Sequence, residues 1–506
     1  MRMRKSAVLL ILSSLFPGVS AAQIAHDHRA PENLGTVSFA ISCHSGVQRE
    51  FEKGVALLHS FAYSSAEGSF NHVAEKDPHC AIAHWGIAMT YYHELWNPPI
   101  QQDTFSKGRA EIRRSQIIGG GTALERGYIR ALSLFYKGDF SAMPFQERVA
   151  LYERAMGGLA EAHPEDSESQ VFYALALLAG ASPFDKTHAR QKHAAQILLP
   201  LFFKYPQHPG IAHYLIHACD NQEMARQGLD AALAYSKIAS STPHALHMPS
   251  HIFTRLGMWN ESIASNQLAR VAARGQGDIG EELHAMDYLV YAYLQQGRDR
   301  EANDVIQQSK AMPNLDEQDF KIAYAATAMP ARYAIERRQW TEAVNVVSPV
   351  DSPPNVIAVA IWARGMGLAR SGQPALARLE VERLRQLEPI VRSPRESNGD
   401  YWGRQLKIQE SEVMAWTTQA EGDVVNARSL LRKAADEEDA MEKLPVTPGP
   451  IVPAREQLGD LLLQQGRPQL ALKEFQISLK AYPNRRGSVK GVSEASARLR
   501  THPTQK

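Results

Sequence analysis

The stretch GVALLHSFAYSSAEGSFNHVAEKDP, residues 54–78, decides the fold. Its Gly54, Ala66, Phe70 and Pro78 are separated by twelve, four and eight residues. The same frame returns as Cys219, Ala231, Tyr235 and Pro243, as Gly365, Ala377, Val381 and Pro389, and as Gly459, Ala471, Phe475 and Pro483. Two small residues let paired helices approach closely, the large one fills the gap between neighbouring hairpins, and proline stops the second helix. Most other apolar positions follow i, i+3, i+4 spacing and alternating runs are short, which predicts helices and no sheet.

Weaker copies surround the clear ones. Thr254–Ser262 reads TRLGMWNES, Leu294–Ala302 reads LQQGRDREA, and Ala415 to Ala434 is a further degenerate copy. The frame is poor around 97–145 and 305–340. It resembles the tetratricopeptide repeat (TPR), a 34-residue helical hairpin, and the resemblance covers most of 45–485. Segments such as GVALLHSFAYSSAEGSF, HALHMPSHIFTRLGMW and LPVTPGPIVPAREQLGDLLL are similar to those of a group of secreted bacterial TPR proteins. That resemblance implies an all-α, TPR-like helical-hairpin solenoid, a right-handed superhelix with a concave groove, and it implies no settled activity.

The chain has 506 residues, 55 Lys+Arg against 54 Asp+Glu, and a net charge of +1. This balance offers no excess of either sign to drive binding to nucleic acid or an anionic membrane. Residues 1–22 read as a secretory leader: Arg2, Arg4 and Lys5, then an apolar run from Ala7 to Phe16, then small residues up to Ala22. The apolar run is too short to span a bilayer. The expectation is a periplasmic or secreted protein with no membrane span, an arm over 23–44, the repeat domain over 45–485 and a tail over 486–506. In an oxidising compartment Cys43 and Cys80, each just before a predicted helix, can bridge the arm to the second hairpin, leaving Cys219 buried and unpaired.

Histidine is the outlier, with 19 residues, against roughly a dozen for average usage. Seven of them fall between His208 and His284. His213 and His217 are four apart, as are His247 and His251, so each pair projects from one helical face. Pro249 interrupts the second pair and is expected to bend its helix. In TPR proteins the groove is lined by the second, fifth and ninth positions of each first helix. The resemblance places His213 at a second position, His244, His247 and His251 at all three of the next hairpin, and His284, Asp287 and Tyr291 at all three of the one after.

Three readings fit this cluster. The rings are satisfied packing residues; or a polar groove binds a peptide, a protein partner or a small ligand through His244, His284, Asp287, Tyr291 and Arg255; or His213, His217, His247 and His251 bind a transition metal, zinc, copper or iron, with Asp287 or Asp220 as ligand or orienter. The corresponding functions are an exported binding protein or scaffold, and a metal-dependent hydrolytic or oxidative enzyme. Neither HYLIH (213–217) nor HMPSH (247–251) is an HExxH zincin helix, and there is no GxSxG, P-loop or dinucleotide fingerprint. The GGG at 119–121 reads as a loop. The proline-rich segments WNPPI (96–100), DSPPN (351–355) and LPVTPGPIVP (444–453) read as connectors, the last also as a lid or groove wall.

Overall fold

Phe70 shows what the recurring frame does. In the computed structural model its ring wedges between two glycines, where an added Cβ would lie 2.7 Å (Gly54) or 2.5 Å (Gly86) from it. Phe475 is held in the same way between Gly459 and Gly491, at 2.6 and 2.4 Å. The large residue of a second helix therefore locks its own first helix to the first helix of the next hairpin. At Gly365 a Cβ would instead meet Val413 at 2.8 Å, so that contact crosses directly to the following hairpin.

The structure describes residues 32–93, 95, 101–313, 315–393 and 398–501. The expected leader and WNPPI lie outside them. Every regular element among the described residues is a helix, and none is long and apolar enough to cross a membrane. Consecutive helices pack in antiparallel pairs from Gln48–His59 with Tyr63–Lys76 to Pro468–Ala481 with Arg486–Thr501. The poorly framed regions are hairpins as well: Gln102–Ile118 and Ala123–Phe135 pack mainly on Ala81–Met89 and Phe145–Ala162 respectively, and Asp299–Lys310 packs on Ile279–Gln295. Gly119, Gly120 and Gly121 form the loop between the first two, all at positive φ.

Two expectations need correction. Residues 486–501 are not a tail: they form a helix that supplies Gly491 to the Phe475 lock and ties Arg486 to Asp299. Pro389 does not stop its helix at once: the helix runs Pro374–Val391 and ends two residues after the proline, which leaves one backbone bond of the last turn unmade. Residues 33–44 form an irregular arm that buries Leu34, Val37 and Phe39, with the Phe39 ring against Phe51, Trp85 and Tyr128. Cys43 and Cys80 are disulfide-bonded at a Cα separation of 5.1 Å, and Cys219 is buried and free.

The C-terminal hairpins also return to the middle of the chain. Glu442 meets His188 and Arg255, its amide donates to the carbonyl of Pro183, Gln222 donates to the carbonyl of Lys480, and Trp259 donates to that of Asn484. This closure lays residues 441–453 across the helices that carry the clustered histidines. The Phe475 lock is directly testable. Gly459→Leu should lower stability by about 1–3 kcal/mol through overpacking. Phe475→Ala in the same chain should give a combined loss smaller than the sum of the single losses in thermal melts, because the two changes share one contact.

Candidate metal centre

Three consecutive first helices supply the histidines. Pro209–Cys219 begins with proline at its first position and with His208 accepting the Ile211 amide, which fixes its start and the register of His213 and His217. Pro243–His247 and Pro249–Arg255 follow one another across Met248, whose backbone stays helical, so Pro249 divides the helix without turning His251 from His247. Ile279–Gln295 is capped by Asp278 and carries His284.

Six imidazoles gather into two groups of three, His213, His217 and His244, and His247, His251 and His284, with the ligand atoms of each group within 4.8 Å of one another. Five of the rings are buried and His217 is half-buried. In the first group, Nε2 of His213 lies 3.1 Å from Nε2 of both His217 and His244. In the second, Nε2 of His247 is 3.0 Å from Nε2 of His251, and the rings of His247 and His284 are 4.3 Å apart.

The outer nitrogens explain the inner ones. His213 Nδ1 faces the carbonyl oxygen of His59 at 2.6 Å, and His244 Nδ1 faces Glu281 at 3.3 Å. His251 Nδ1 faces Asp220 at 2.9 Å, and His247 Nδ1 faces Asn266 Oδ1 at 2.6 Å. Carbonyls and carboxylates only accept, and the Asn266 amide is oriented by Nδ2 donating to the Ser262 carbonyl, so all four rings carry their proton on Nδ1. Their Nε2 lone pairs then point at one another. Two acceptors 3.0 Å apart make no hydrogen bond, but ligands at 2.0–2.1 Å from a tetrahedral ion sit about 3.3 Å apart.

Protonation does not relieve the second group. Burial, then the neighbouring imidazoles, holds His247 well below the usual histidine range, as it does His213 and His217. Burial outweighs Asp220 to bring His251 to about 4, and outweighs Glu281 to bring His284 to about 3. Asp220 stays ionised despite its burial because Lys443, Arg255 and His251 hold it well below the carboxylate range. A third buried group, His59, Glu168 and His208, differs in being fully bonded. Glu168 accepts from both Nε2 atoms at 2.9 and 2.8 Å, while the Nδ1 atoms meet Tyr214 and the Ile211 amide. Cys43 and Cys80 are committed to their disulfide.

A small cavity lies between the two groups, lined by His217, His244, His251 and His284 together with Phe61, Leu95, Met248, Pro445 and Val446. Phe61 holds φ at 55°, in the left-handed region, and sets its ring 4.5 Å from His213 and 5.3 Å from His244. Such backbone costs about 1–2 kcal/mol in a non-glycine residue, and packing keeps it. Residues 445–447 cover one side of the cavity, where the single proton of the Tyr288 hydroxyl is shared among the carbonyls of Pro445 and Thr447, at 3.4 and 3.3 Å, and His251 Nε2 at 3.4 Å.

No protein-family description matches the chain, and no curated protein matches it. Among solved structures it is similar to the TPR domain of P58(IPK), at 12% identity over 91% of this chain and 100% of that one, with a TM-score of 0.23. It is also similar to yeast Tom70, at 10% identity over 90% and 88% with a TM-score of 0.34. The Naa15/Naa10 complex bound to HypK-THB gives 11% identity over 91% and 81%, and a TM-score of 0.24. These neighbours include TPR-domain proteins. The architecture rests on this chain's own hairpins.

The expected groove residues divide. His244 and His284 join His213, His217, His247 and His251, with each HxxxH pair in its own group. Asp287 does not reach the histidines: its carboxylate pairs with Arg332 at 3.2 Å. Tyr291 turns away as well, accepting from Arg485 at 3.2 Å. Arg255 is no groove donor, since its guanidinium is buried against Asp220 and Glu442. The slip arises because the fifth and ninth positions of this helix meet the returning 449–485 segment instead of open space: Arg332 also donates to the carbonyls of Gly449 and Pro450. Asp220 is the orienter that the sequence suggested. Asn266, Glu281, Met248, Lys443 and Phe61 were not singled out, since none carries a spacing signal.

Histidines held neutral when folded bind fewer protons than the unfolded chain below its ordinary 6.5. Metal-free protein should therefore lose stability as pH falls from about 6.5 to about 4, by about 1.4 kcal/mol per pH unit for each such histidine. Thermal melts in chelator-treated buffers from pH 7.5 to 4.5 measure this, and a flat profile above pH 5 would contradict the neutral cluster.

Proposed function

We propose that the protein binds transition metal through these six histidines, the repeat scaffold serving to hold two three-imidazole seats side by side. The observation that supports this is the 3.0 Å approach of His247 Nε2 and His251 Nε2 while both Nδ1 atoms are held by acceptors. A cation between the two lone pairs answers their repulsion. The packing reading leaves it unanswered, because rings used only for packing would exchange hydrogen bonds, as His59 and His208 do through Glu168.

Asp220 and Asn266 fix ring tautomer and orientation, the role of carboxylates and carbonyls behind metal-bound imidazoles. Residues 445–447 cover one side of the cavity, so on that side a peptide or protein partner would meet the cover and not the rings. The leader-like residues 1–22 and the Cys43–Cys80 bridge favour a periplasmic or secreted setting for this centre.

Protein purified without a polyhistidine tag and dialysed should retain stoichiometric zinc, copper or iron by elemental analysis. His213→Ala with His251→Ala, one ligand from each seat, should abolish retention with helicity unchanged. His84→Ala, whose ring pairs with Glu111 outside the cluster, should leave the metal content as it is. Equal metal in the double variant and the parent would overturn the proposal.

A further inference from the structure

A second cavity lies in the C-terminal hairpins, and none of the clustered histidines lines it. Phe320–Glu336, Pro354–Arg370 and Gly399–Ala420 pack side by side as the first helices of consecutive hairpins, and the returning 441–452 segment forms the opposite wall. Five aromatic side chains line the space between: Tyr324, Trp362, Tyr401, Trp402 and Tyr482. Its free volume is about 80 Å³. A cavity of roughly 150 Å³ holds benzene, so this one takes about three or four non-hydrogen atoms and is too small for a sugar ring.

Two carboxylates in the lining have no counter-ion. Asp220 is paired with Lys443 and Arg255, Glu281 with Lys321, and Glu336 with Arg485. Glu412, buried, and Glu438, half-buried, make no ion pair among the described residues. Glu412 accepts from Trp362 Nε1 at 2.7 Å and Gln457 Nε2 at 2.5 Å, and Glu438 accepts from the Ala454 amide at 2.6 Å. These donors are neutral, so they orient the carboxylates without compensating their charge. The other charged groups of the lining are engaged, Lys443 with Asp220, and Glu442 with Arg255 and His188. Arg455 and Arg485 act on Glu438 from longer range, their guanidiniums bonded to Asp439 and Glu474, and to Glu336 and Glu456. Burial pushes both carboxyls above their ordinary range, and Glu438 adds to the rise at Glu412. A cation in the cavity lets both ionise.

Tyr324 points independently to a ligand. It is only 7% exposed and lines the cavity, yet its hydroxyl has no hydrogen-bond partner among the described residues. A buried hydroxyl is costly when nothing bonds it. Aromatic faces attract cations, and carboxylates and hydroxyls accept N–H donors. A hard metal ion takes about six to eight oxygen ligands, whereas most of this wall is aromatic.

We propose that this cavity binds a primary ammonium group on a short carbon chain, its N–H donors shared among Glu412, Glu438 and Tyr324 and its carbons lying against the rings. No residue is common to this lining and that of the histidine cavity, so the two sites stand or fall separately.

In chelator-treated phosphate buffer, the full-length protein is titrated calorimetrically with propylammonium, with 1-propanol as the neutral probe of equal size, and with N-acetyl-lysine amide as a side-chain source. One propylammonium should bind per chain at about 1 mM or tighter, and 1-propanol at least about tenfold more weakly. Glu438→Gln keeps the shape and removes the charge. It should weaken propylammonium at least about tenfold while leaving 1-propanol binding and helicity unchanged, a selective loss that a merely structural carboxyl would not produce. Tyr324→Phe should weaken propylammonium about threefold or more. Tighter binding of the lysine derivative than of propylammonium supports the site with a peptide side chain as the source, and weaker binding supports it with a free amine. Equal binding of propylammonium and 1-propanol, equal binding of propylammonium by Glu438→Gln and the parent, or no binding of any amine overturns the site.

Discussion

The carboxylate of Asp220 is the constraint on which the histidine cluster depends. One oxygen accepts from Lys443 at 2.7 Å and from His251 Nδ1 at 2.9 Å, and the other accepts from Arg255 at 2.9 Å. It stands just past the end of the helix that carries His213 and His217, reaches the helix of His251, and anchors the segment returning from the C-terminal hairpins. A single buried charge thus joins three parts of the chain more than 200 residues apart at their extremes. Buried ions are stable only when paired and hydrogen-bonded, so removing any partner would leave the others uncompensated. The arrangement trades adaptability for a defined geometry around the rings.

The closure of the solenoid has the same character elsewhere. Arg485 is wholly buried between Glu336 and Glu456, and Arg332 between Asp287 and the carbonyls of Gly449 and Pro450. These contacts do little that apolar packing could not do for stability. Their geometric effect is to hold residues 441–453 against the histidine helices, which removes water from the rings. Desolvation then lowers the histidine proton affinities and leaves the Nε2 lone pairs available at neutral pH. The cover and the neutrality of the rings therefore go together.

Much of this was legible in the chain. The small–small–large frame marked the hairpins, and Phe70 and Phe475 show why: a ring that must fit between two glycines can be placed by spacing alone. The i, i+4 pairs marked His213 with His217 and His247 with His251, since helical periodicity puts them on one face whatever surrounds them. The assignment of Asp287 and Tyr291 to the same site failed at the next step. Repeat positions give the face of a helix that is not used by its own hairpin, and at these two residues that face is covered by a segment more than 150 residues away. The 486–501 helix was missed because its sequence carries no complete frame, only the glycine that receives Phe475.

Local spacing determined the helices, their pairing and which histidines share a face, because those follow from backbone geometry over a few turns. Tertiary structure alone decided that six rings meet as two groups of three, that Asn266 and Glu281 hold outer nitrogens, that Asp220 and not Asp287 does the same, and that residues 445–447 cover one side of the cavity. Each of these depends on contacts between distant hairpins, and the curvature that brings such hairpins together accumulates over the whole array, from packing at every interface rather than from any one stretch of residues.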